Sequence, residues 1–253
     1  FYIGYDRSGD HGGWWFYDWD NEHGLKGSVN ENRTRPHSRD ADSPTKFHHA
    51  LRVNPEYRMM FADRIQRAFF NGGPLYVDPE NPHFEATRPG KNRPAALWME
   101  MTSKIETALI AESARWGDYR KSRPYTVHNE FKSLRDNLLR NWFPRRSSIV
   151  LQQFQSMGLF PLTEAPILSR FTGVIPEGYP LTITAPSNET IYYTINGSDP
   201  RLPSESEPGI STDAQIYSDA VSLEATSEIK ARVFNGTEWS ALTEASLIVG
   251  TPS

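Results

Sequence analysis

Cysteine is absent from the 253 residues. That excludes disulfides and thiolate metal sites. No stretch approaches the run of about eighteen apolar residues that reads as a membrane-spanning helix. There is no initiator Met, no basic leader and no apolar signal core, and the first residue already falls in a strand-like run. The expectation is a fragment whose N-terminal portion is missing. Internal repeats and low-complexity tracts are absent too. Positive charge is scarce in the second part. Residues 161–253 hold 4 Lys+Arg against 12 Asp+Glu, a net of -8, and no His. Residues 1–160 hold 23 against 19, a net of +4, and all seven His. So sharp a break marks a domain boundary. The excess of +4 is too small to argue for nucleic-acid binding.

What is present is aromatic. Hydrophobic residues make up 37% of the chain, enough for globular cores, and Phe, Trp and Tyr alone reach 12%. Phe1 to Tyr5 reads as a strand, Asp6 to Gly13 as a turn, and Trp14 to Tyr17 as a second strand running into Asp18, Asp20 and Glu22. Side chains two apart share a face of a strand, so these three carboxylates point the same way. They repel unless something positive holds them, and a divalent cation is the usual remedy beside phosphates. An edge hairpin with solvated acids at its mouth is the other reading.

Residues 24–46 are polar and read as a long irregular loop. Asn54-Pro55 then starts a helix, an N-cap followed by Pro at the first position, with a stripe of Tyr57, Met60, Phe61, Ile65, Ala68 and Phe69 and a stop at Asn71-Gly72-Gly73. A Pro-rich connection leads to a helix from Pro94 to Trp116, in which Leu97, Met101, Ile105 and Leu109 are expected to form the buried seam. A helix from Val127 to Arg140 turns Phe131, Leu134 and Leu138 inward, Phe143-Pro144 breaks it, and a last helix carries Ile149, Val150, Phe154 and Met157 as far as Gly158. After Pro161 to Pro166 the period changes to two. Strands are expected at 181–184, 191–195, 220–223, 229–234 and 240–249, with Asn196-Gly197 and Asn235-Gly236 as hairpin turns. The expected fold is multidomain α+β, a mainly helical part followed by an all-β sandwich of the Ig/Fn3-like kind.

Four segments carry a resemblance. They are Trp15-Phe16-Tyr17-Asp18-Trp19-Asp20-Asn21-Glu22-His23-Gly24-Leu25; Asn54 to Arg64 running on to Phe69-Phe70-Asn71-Gly72-Gly73; Ile110 to Asp118; and Phe143-Pro144-Arg145-Arg146 followed by Gly158-Leu159-Phe160-Pro161. Together they resemble the C-terminal portion of the CotH, or spore-coat-H, family of atypical protein kinases. Tyr192-Tyr193-Thr194-Ile195-Asn196-Gly197-Ser198-Asp199-Pro200-Arg201, with Lys230-Ala231-Arg232 and Trp239-Ser240, resembles the chitobiase C-terminal-like or Fn3-associated β-sandwich module.

The second resemblance implies a sandwich at 167–250; the first implies a kinase-like C-lobe at 1–160, before a linker at 161–166. It implies transfer of the γ-phosphate of ATP to protein Ser/Thr hydroxyls, with Mg2+ held by Asp20 and Glu22 as candidate ligands. Asp18 is the weaker candidate. The family's lysine and catalytic Asp fall upstream of the strand that Phe1 to Asp6 resembles, so no catalytic residue is assigned in this chain. Mg2+ and ATP belong to the full-length domain only, and the chain alone is expected to be inactive. The pairing of modules implies an exported protein, extracellular or in the cell envelope, whose partner is a protein substrate or a surface component. The alternative is a non-catalytic surface, adhesion or carbohydrate-binding module, with Tyr192, Tyr193 or Trp239 as sugar platforms.

Several other residues have two readings. His48-His49 reads as metal-binding or as packing at a loop start. Glu112, Arg115 and Asp118 read as substrate contacts or as an ion-pair network closing a helix. Arg145-Arg146 reads as an anion site or as a solvated basic turn. Asn32, Asn188, Asn196 and Asn235 fit the glycosylation acceptor pattern but are read more simply as turn residues.

Overall fold

A computed structural model describes residues 2–8, 13–17, 24–25, 27–36, 43–119, 121–186, 189–203 and 209–251. The chain is multidomain α+β. β1 (Tyr2–Tyr5) and β2 (Trp14–Tyr17) form an antiparallel hairpin, with Tyr2 opposite Tyr17 and Tyr5 opposite Trp14. Trp14, Trp15 and Tyr17 are exposed on it. Asp18, Asp20 and Glu22, the acidic candidates that follow, lie outside the described residues.

α1 (Thr45–Leu51) begins inside the stretch expected to be irregular. Residues 27–36 are irregular, but they are tied down. Arg146 Nη1 donates to the carbonyls of Val29 (2.6 Å) and Glu31 (2.8 Å), and Gln153 Nε2 donates to that of Asn30 (3.1 Å). α2 (Pro55–Phe69) starts as its sequence predicts: Asn54 Oδ1 accepts from the N–H groups of Glu56 and Tyr57. It stops at a turn that only glycine fits, since a Cβ on Gly73 would fall 2.2 Å from the Arg67 carbonyl oxygen. Phe61 and Phe69 meet Phe154 edge-on, with centroids at 5.4 and 6.4 Å. Met60, placed in the buried stripe by the sequence, is exposed instead.

α3 (Arg93–Trp116) overturns its expected seam. Leu97, Met101 and Ile105 are about half exposed, and the helix buries Ala95 and Thr102 instead. At about 100° per residue Leu97 lies nearly opposite Ala95 and Thr102, so the row sits on a different face from the one that packs. Asn92 anchors the start of α3. It is fully buried, its Oδ1 accepts from the Ala95 N–H at 3.0 Å, and its Nδ2 donates to the Pro82 carbonyl at 2.7 Å.

Residues 127–156 run as one helical stretch in place of the expected break. α4 (Ser133–Asn137) is flanked by wide-turn segments at Val127–Lys132 and Leu138–Trp142, and the second passes directly into α5 (Phe143–Ser156). The Phe143 N–H reaches back five residues to the Leu138 carbonyl. That wide turn absorbs Pro144, whose ring would clash in a regular α-helix. Leu134, expected inward, is exposed, while Leu138 packs with Ala95, Trp142 and Phe143 in the helical core.

The remaining strands are β3 (Ile167–Leu168), β4 (Thr172–Ile175), β5 (Tyr179–Leu181), β6 (Ile183–Thr184), β7 (Thr190–Thr194), β8 (Arg201–Leu202), β9 (Gly209–Ile210), β10 (Gln215–Ile216), β11 (Val221–Leu223), β12 (Ser227–Phe234) and β13 (Thr243–Val249). A five-stranded sheet has the order β10-β7-β12-β13-β4. Its pairs are antiparallel except β13 with β4, which run parallel with Ser246 opposite Thr172 and Val249 opposite Ile175. The pairs β11-β5 and β3-β6 lie outside that sheet. Leu181 and Leu223 of the first pair and Ile183 of the second share a dry core with Ile175, Ile229 and Leu247 of the sheet. Among the described residues no helix is long and apolar enough to cross a membrane.

Candidate functional site

The densest concentration of buried charge lies where α2 meets the β part. On α2, Glu56, Met59, Asp63 and Arg67 recur at helical spacing and so share one face. Each of the four meets the β part. Arg232, on β12, is only 1% exposed. Its Nε and Nη2 donate to Asp199 at 2.8 and 2.6 Å, and its Nη1 and Nη2 donate to Asp63 at 2.8 and 2.7 Å. Nη1 also reaches the Ser240 carbonyl at 2.9 Å and Met59 Sδ at 3.2 Å. One guanidinium thus grips two carboxylates, each with two bonds, a geometry for which its planar fork is suited.

The carboxylates are held from their other sides as well. Asp63 Oδ1 accepts from the Leu242 N–H at 2.8 Å, and Asp199 Oδ1 from the Arg201 N–H at 2.9 Å. Burial works to raise the Asp199 pKa, but the hydrogen bonds and charge of Arg232 outweigh it and hold the carboxyl below its ordinary range. Burial likewise opposes the charge on Arg232, and its bonds to Asp199 and Asp63 outweigh that, so it stays protonated. Beside it, Arg201 makes a two-pronged pair with Glu56, with Nη1 to Oε2 at 2.9 Å. Arg67 Nε donates to Glu244 at 3.1 Å on the rim. The connection between the two parts is bonded too, since Glu238 Oε2 accepts from the N–H and hydroxyl of Thr163 at 2.9 and 2.8 Å.

The other candidates from the sequence are scattered. His48 packs at 5.0 Å from the Phe61 ring and shares a hydrogen bond through Nδ1 with the Tyr57 hydroxyl at 2.9 Å, which is a packing role. Among the described residues no ion pair joins Glu112, Arg115 and Asp118, where a network was expected; Arg115 lies over the Trp116 ring at 5.0 Å. Arg145 is exposed and its Nε donates to the Asn141 carbonyl, while Arg146 holds the 27–36 segment. Asn32, Asn196 and Asn235 turn their side-chain oxygens onto N–H groups two residues on, as turn residues do, and Asn188 lies outside the described residues. Trp239 is 3% exposed and stacked on Phe234, and Tyr193 is buried, so neither is a sugar platform. Among the described residues no group of three or more acids and histidines has the geometry for a metal ion.

Residues 181–245 match the family model described as Fn3 associated. The Fn3-associated stretch contains Asp199, Arg201, Arg232 and Glu244, the β side of the charged seam. Comparison with curated proteins gives no match.

The seam was hard to find in the sequence. A lone Arg in a strand and three charges along a helix each read as solvated surface. The detectable signal was their alignment at positions 56, 59, 63 and 67 on one face of α2.

His48 also yields a pH dependence. Burial, then the charges of His49 and Arg52, lower its pKa from the ordinary 6.5. A histidine that protonates more readily unfolded than folded leaves its full stability in place above pH 6.5. That stability is lost as pH falls from there through the folded value. Urea midpoints should therefore drop between pH 7 and 5, and the drop should shrink in His48→Phe; an unchanged slope in the variant assigns the effect elsewhere.

Proposed function

We propose that this chain is the helical portion of a CotH-type kinase-like domain joined rigidly to an Fn3-associated sandwich that acts as its buttress. The observation that carries the coupling is the Arg232 clamp, in which one buried guanidinium ties α2 to β12 and to the loop before β8. Segments that carry the kinase resemblance, residues 54–73, 143–146 and 158–161, supply α2, the start of α5 and the turn after it, and the same α2 supplies Asp63 to the clamp. A sandwich fixed in this way sets the position of the helical lobe instead of trailing from it on a loose tether.

The full-length protein, in this reading, is exported and transfers phosphate from ATP to protein Ser/Thr. Asp20 and Glu22 are its proposed magnesium ligands. The described residues do not by themselves supply a metal-binding set, so no chemical step is derived through the ion. This chain alone is expected not to phosphorylate anything, because it holds no counterpart of the family's lysine or catalytic Asp.

Two measurements test the proposal. Purified chain with magnesium and ATP should transfer no phosphate, and turnover at an ordinary kinase rate overturns the inactivity. In the full-length parent, Asp20→Ala should abolish ATP-dependent labelling of protein; unchanged labelling removes Asp20 from the metal role. Absence of labelling in the unaltered parent favours the non-catalytic surface module instead.

A further inference from the structure

The pair Asn-Gly occurs in the chain at residues 71–72, 196–197 and 235–236. The last two pairs are held fast. Asn196 Nδ2 donates to Asp213 at 3.1 Å, its Oδ1 accepts from the Ser198 N–H at 3.0 Å, and the Gly197 N–H donates to the Glu228 carbonyl at 2.8 Å. Asn235 Nδ2 donates to Thr163 Oγ1 at 2.8 Å, and its Oδ1 accepts from the N–H groups of Thr237 and Glu238 at 2.9 and 2.8 Å. The first pair makes the turn that ends α2. There the Gly73 N–H donates to the Phe70 carbonyl at 2.8 Å, with φ of 53° at Asn71 and 76° at Gly72 between them. Among the described residues Asn71 alone has a positive φ without being glycine. Asn71 and Gly72 are exposed. Among the described residues no partner holds the Asn71 side-chain amide, and no acceptor meets the Gly72 N–H.

We propose that Asn71 deamidates spontaneously through a cyclic imide, and that the isoaspartate so formed loosens the end of α2 from α5. The Gly72 nitrogen gives its proton to a base in solvent and attacks Asn71 Cγ. A new N–Cγ bond closes the ring, and the Cγ–Nδ2 bond breaks as Nδ2 takes up a proton and leaves as ammonia. Water then opens the ring. Attack at Cγ gives aspartate; attack at the main-chain carbonyl carbon gives isoaspartate, whose chain runs through the side-chain carbons. One water enters and one ammonia leaves, with no oxidant, metal or enzyme. Glycine in second place eases the approach, because no Cβ stands beside the attacking nitrogen. At Asn196 and Asn235 the side-chain bonds must break first, and at Gly197 so must that of the attacking nitrogen.

Isoaspartate adds a carbon to the main chain inside the Phe70–Gly73 turn. Gly73 has no slack to absorb it, since a Cβ there would already fall 2.2 and 2.5 Å from the carbonyl oxygens of Arg67 and Ala68. Just beyond the turn the Leu75 N–H donates to the Ala68 carbonyl at 2.8 Å, and the Ser147 hydroxyl of α5 donates to the Leu75 carbonyl at 2.9 Å. Phe70 itself stacks on Phe160, with centroids 5.8 Å apart. Either product also sets a negative charge at the C-terminal end of α2, where the helix dipole disfavours it.

The test uses the whole 253-residue chain and involves no phosphate transfer, so it stands or falls apart from the kinase reading. The chain is held for days at pH 8.5, folded in one arm and in urea in the other. Digestion and mass mapping report conversion at each Asn-Gly pair, and enzymatic methylation of the isoaspartyl carboxylate identifies that product. In the folded chain Asn71 should convert roughly tenfold faster than Asn196 or Asn235, whose side chains wait on local opening. In urea the three rates should converge. The isoaspartyl form, purified by ion exchange, should melt below the parent and exchange its Leu75 N–H faster. Asn71→Gly keeps the positive φ and cannot react, so its melting temperature should hold steady through the incubation while the parent's falls. Conversion at Asn71 no faster than at Asn196 or Asn235 in the folded chain overturns the site. An isoaspartyl form that melts with the parent, or an Asn71→Gly variant that declines as the parent does, overturns the loosening.

Discussion

Replacing Arg232 with Met should cost about 3–5 kcal/mol of stability, the effect of leaving a buried charge without its partner. The substitution keeps a long side chain in the 1% exposed site but strands Asp63 and Asp199 opposite each other without the cation between them. It also frees the Ser240 carbonyl. The expected result is a large fall in the urea midpoint and a melt that splits into two transitions, because the bond between α2 and the sheet is lost. Combining Arg232→Met with Asp63→Asn and Asp199→Asn should recover much of the loss, since replacing a whole buried ion cluster is far milder than breaking it. A single variant within about 1 kcal/mol of the parent would show that the clamp contributes little, the range expected of exposed pairs. The wild-type clamp also predicts acid sensitivity. The Asp199 pKa is depressed, so its stabilisation is complete above pH 4 and is lost as pH falls through the lower folded value.

Asn92→Ala should be the second large loss, about 2–4 kcal/mol. About 1 kcal/mol comes from removing the cap on α3. The rest comes from leaving the Pro82 carbonyl without its bond at a site that water does not reach. Asn92→Ser separates the two parts. It keeps a neutral N-cap oxygen for Ala95 and loses the donor to Pro82, so its unfolding free energy should lie between those of the parent and the alanine variant. If Ser is as damaging as Ala, the cap is not the source of the stabilisation.

Local chemistry was legible in the sequence wherever a residue acts on its own backbone. Asn54-Pro55 set the start of α2 and Asn235-Gly236 the turn after β12, while Asn196-Gly197 turns the chain but makes no hairpin, since β7 pairs with β10 and β12 and β8 with β9. Tertiary choices were not legible. The row Leu97, Met101, Ile105 is apolar and periodic, yet α3 packs by the face that carries Ala95 and Thr102 and leaves the row half exposed. Pro144 read as a break because a wide turn leaves no mark in composition. β4 was missed: it is four residues long, with Gly173 inside it and Pro176 behind it, and it is held as a strand by β13 from more than seventy positions away. The clamp was missed because every one of its charges, taken singly, suits a surface. The acidic run at Asp18, Asp20 and Glu22 lies outside the described residues, so the metal-ligand expectation stays where the sequence put it.

The parallel pairing of β4 and β13 has a mechanical consequence. β4 is fed from the helical side, and β13 leads towards residue 250, so the two strands are entered from opposite ends of the same seam of hydrogen bonds. Tension applied between the start of β4 and the end of β13 therefore drags the strands past each other along their length. The evenly spaced parallel bonds share such a load together and do not open one at a time like a zip. Pulling between residues 172 and 249 should therefore meet its main resistance at this one seam.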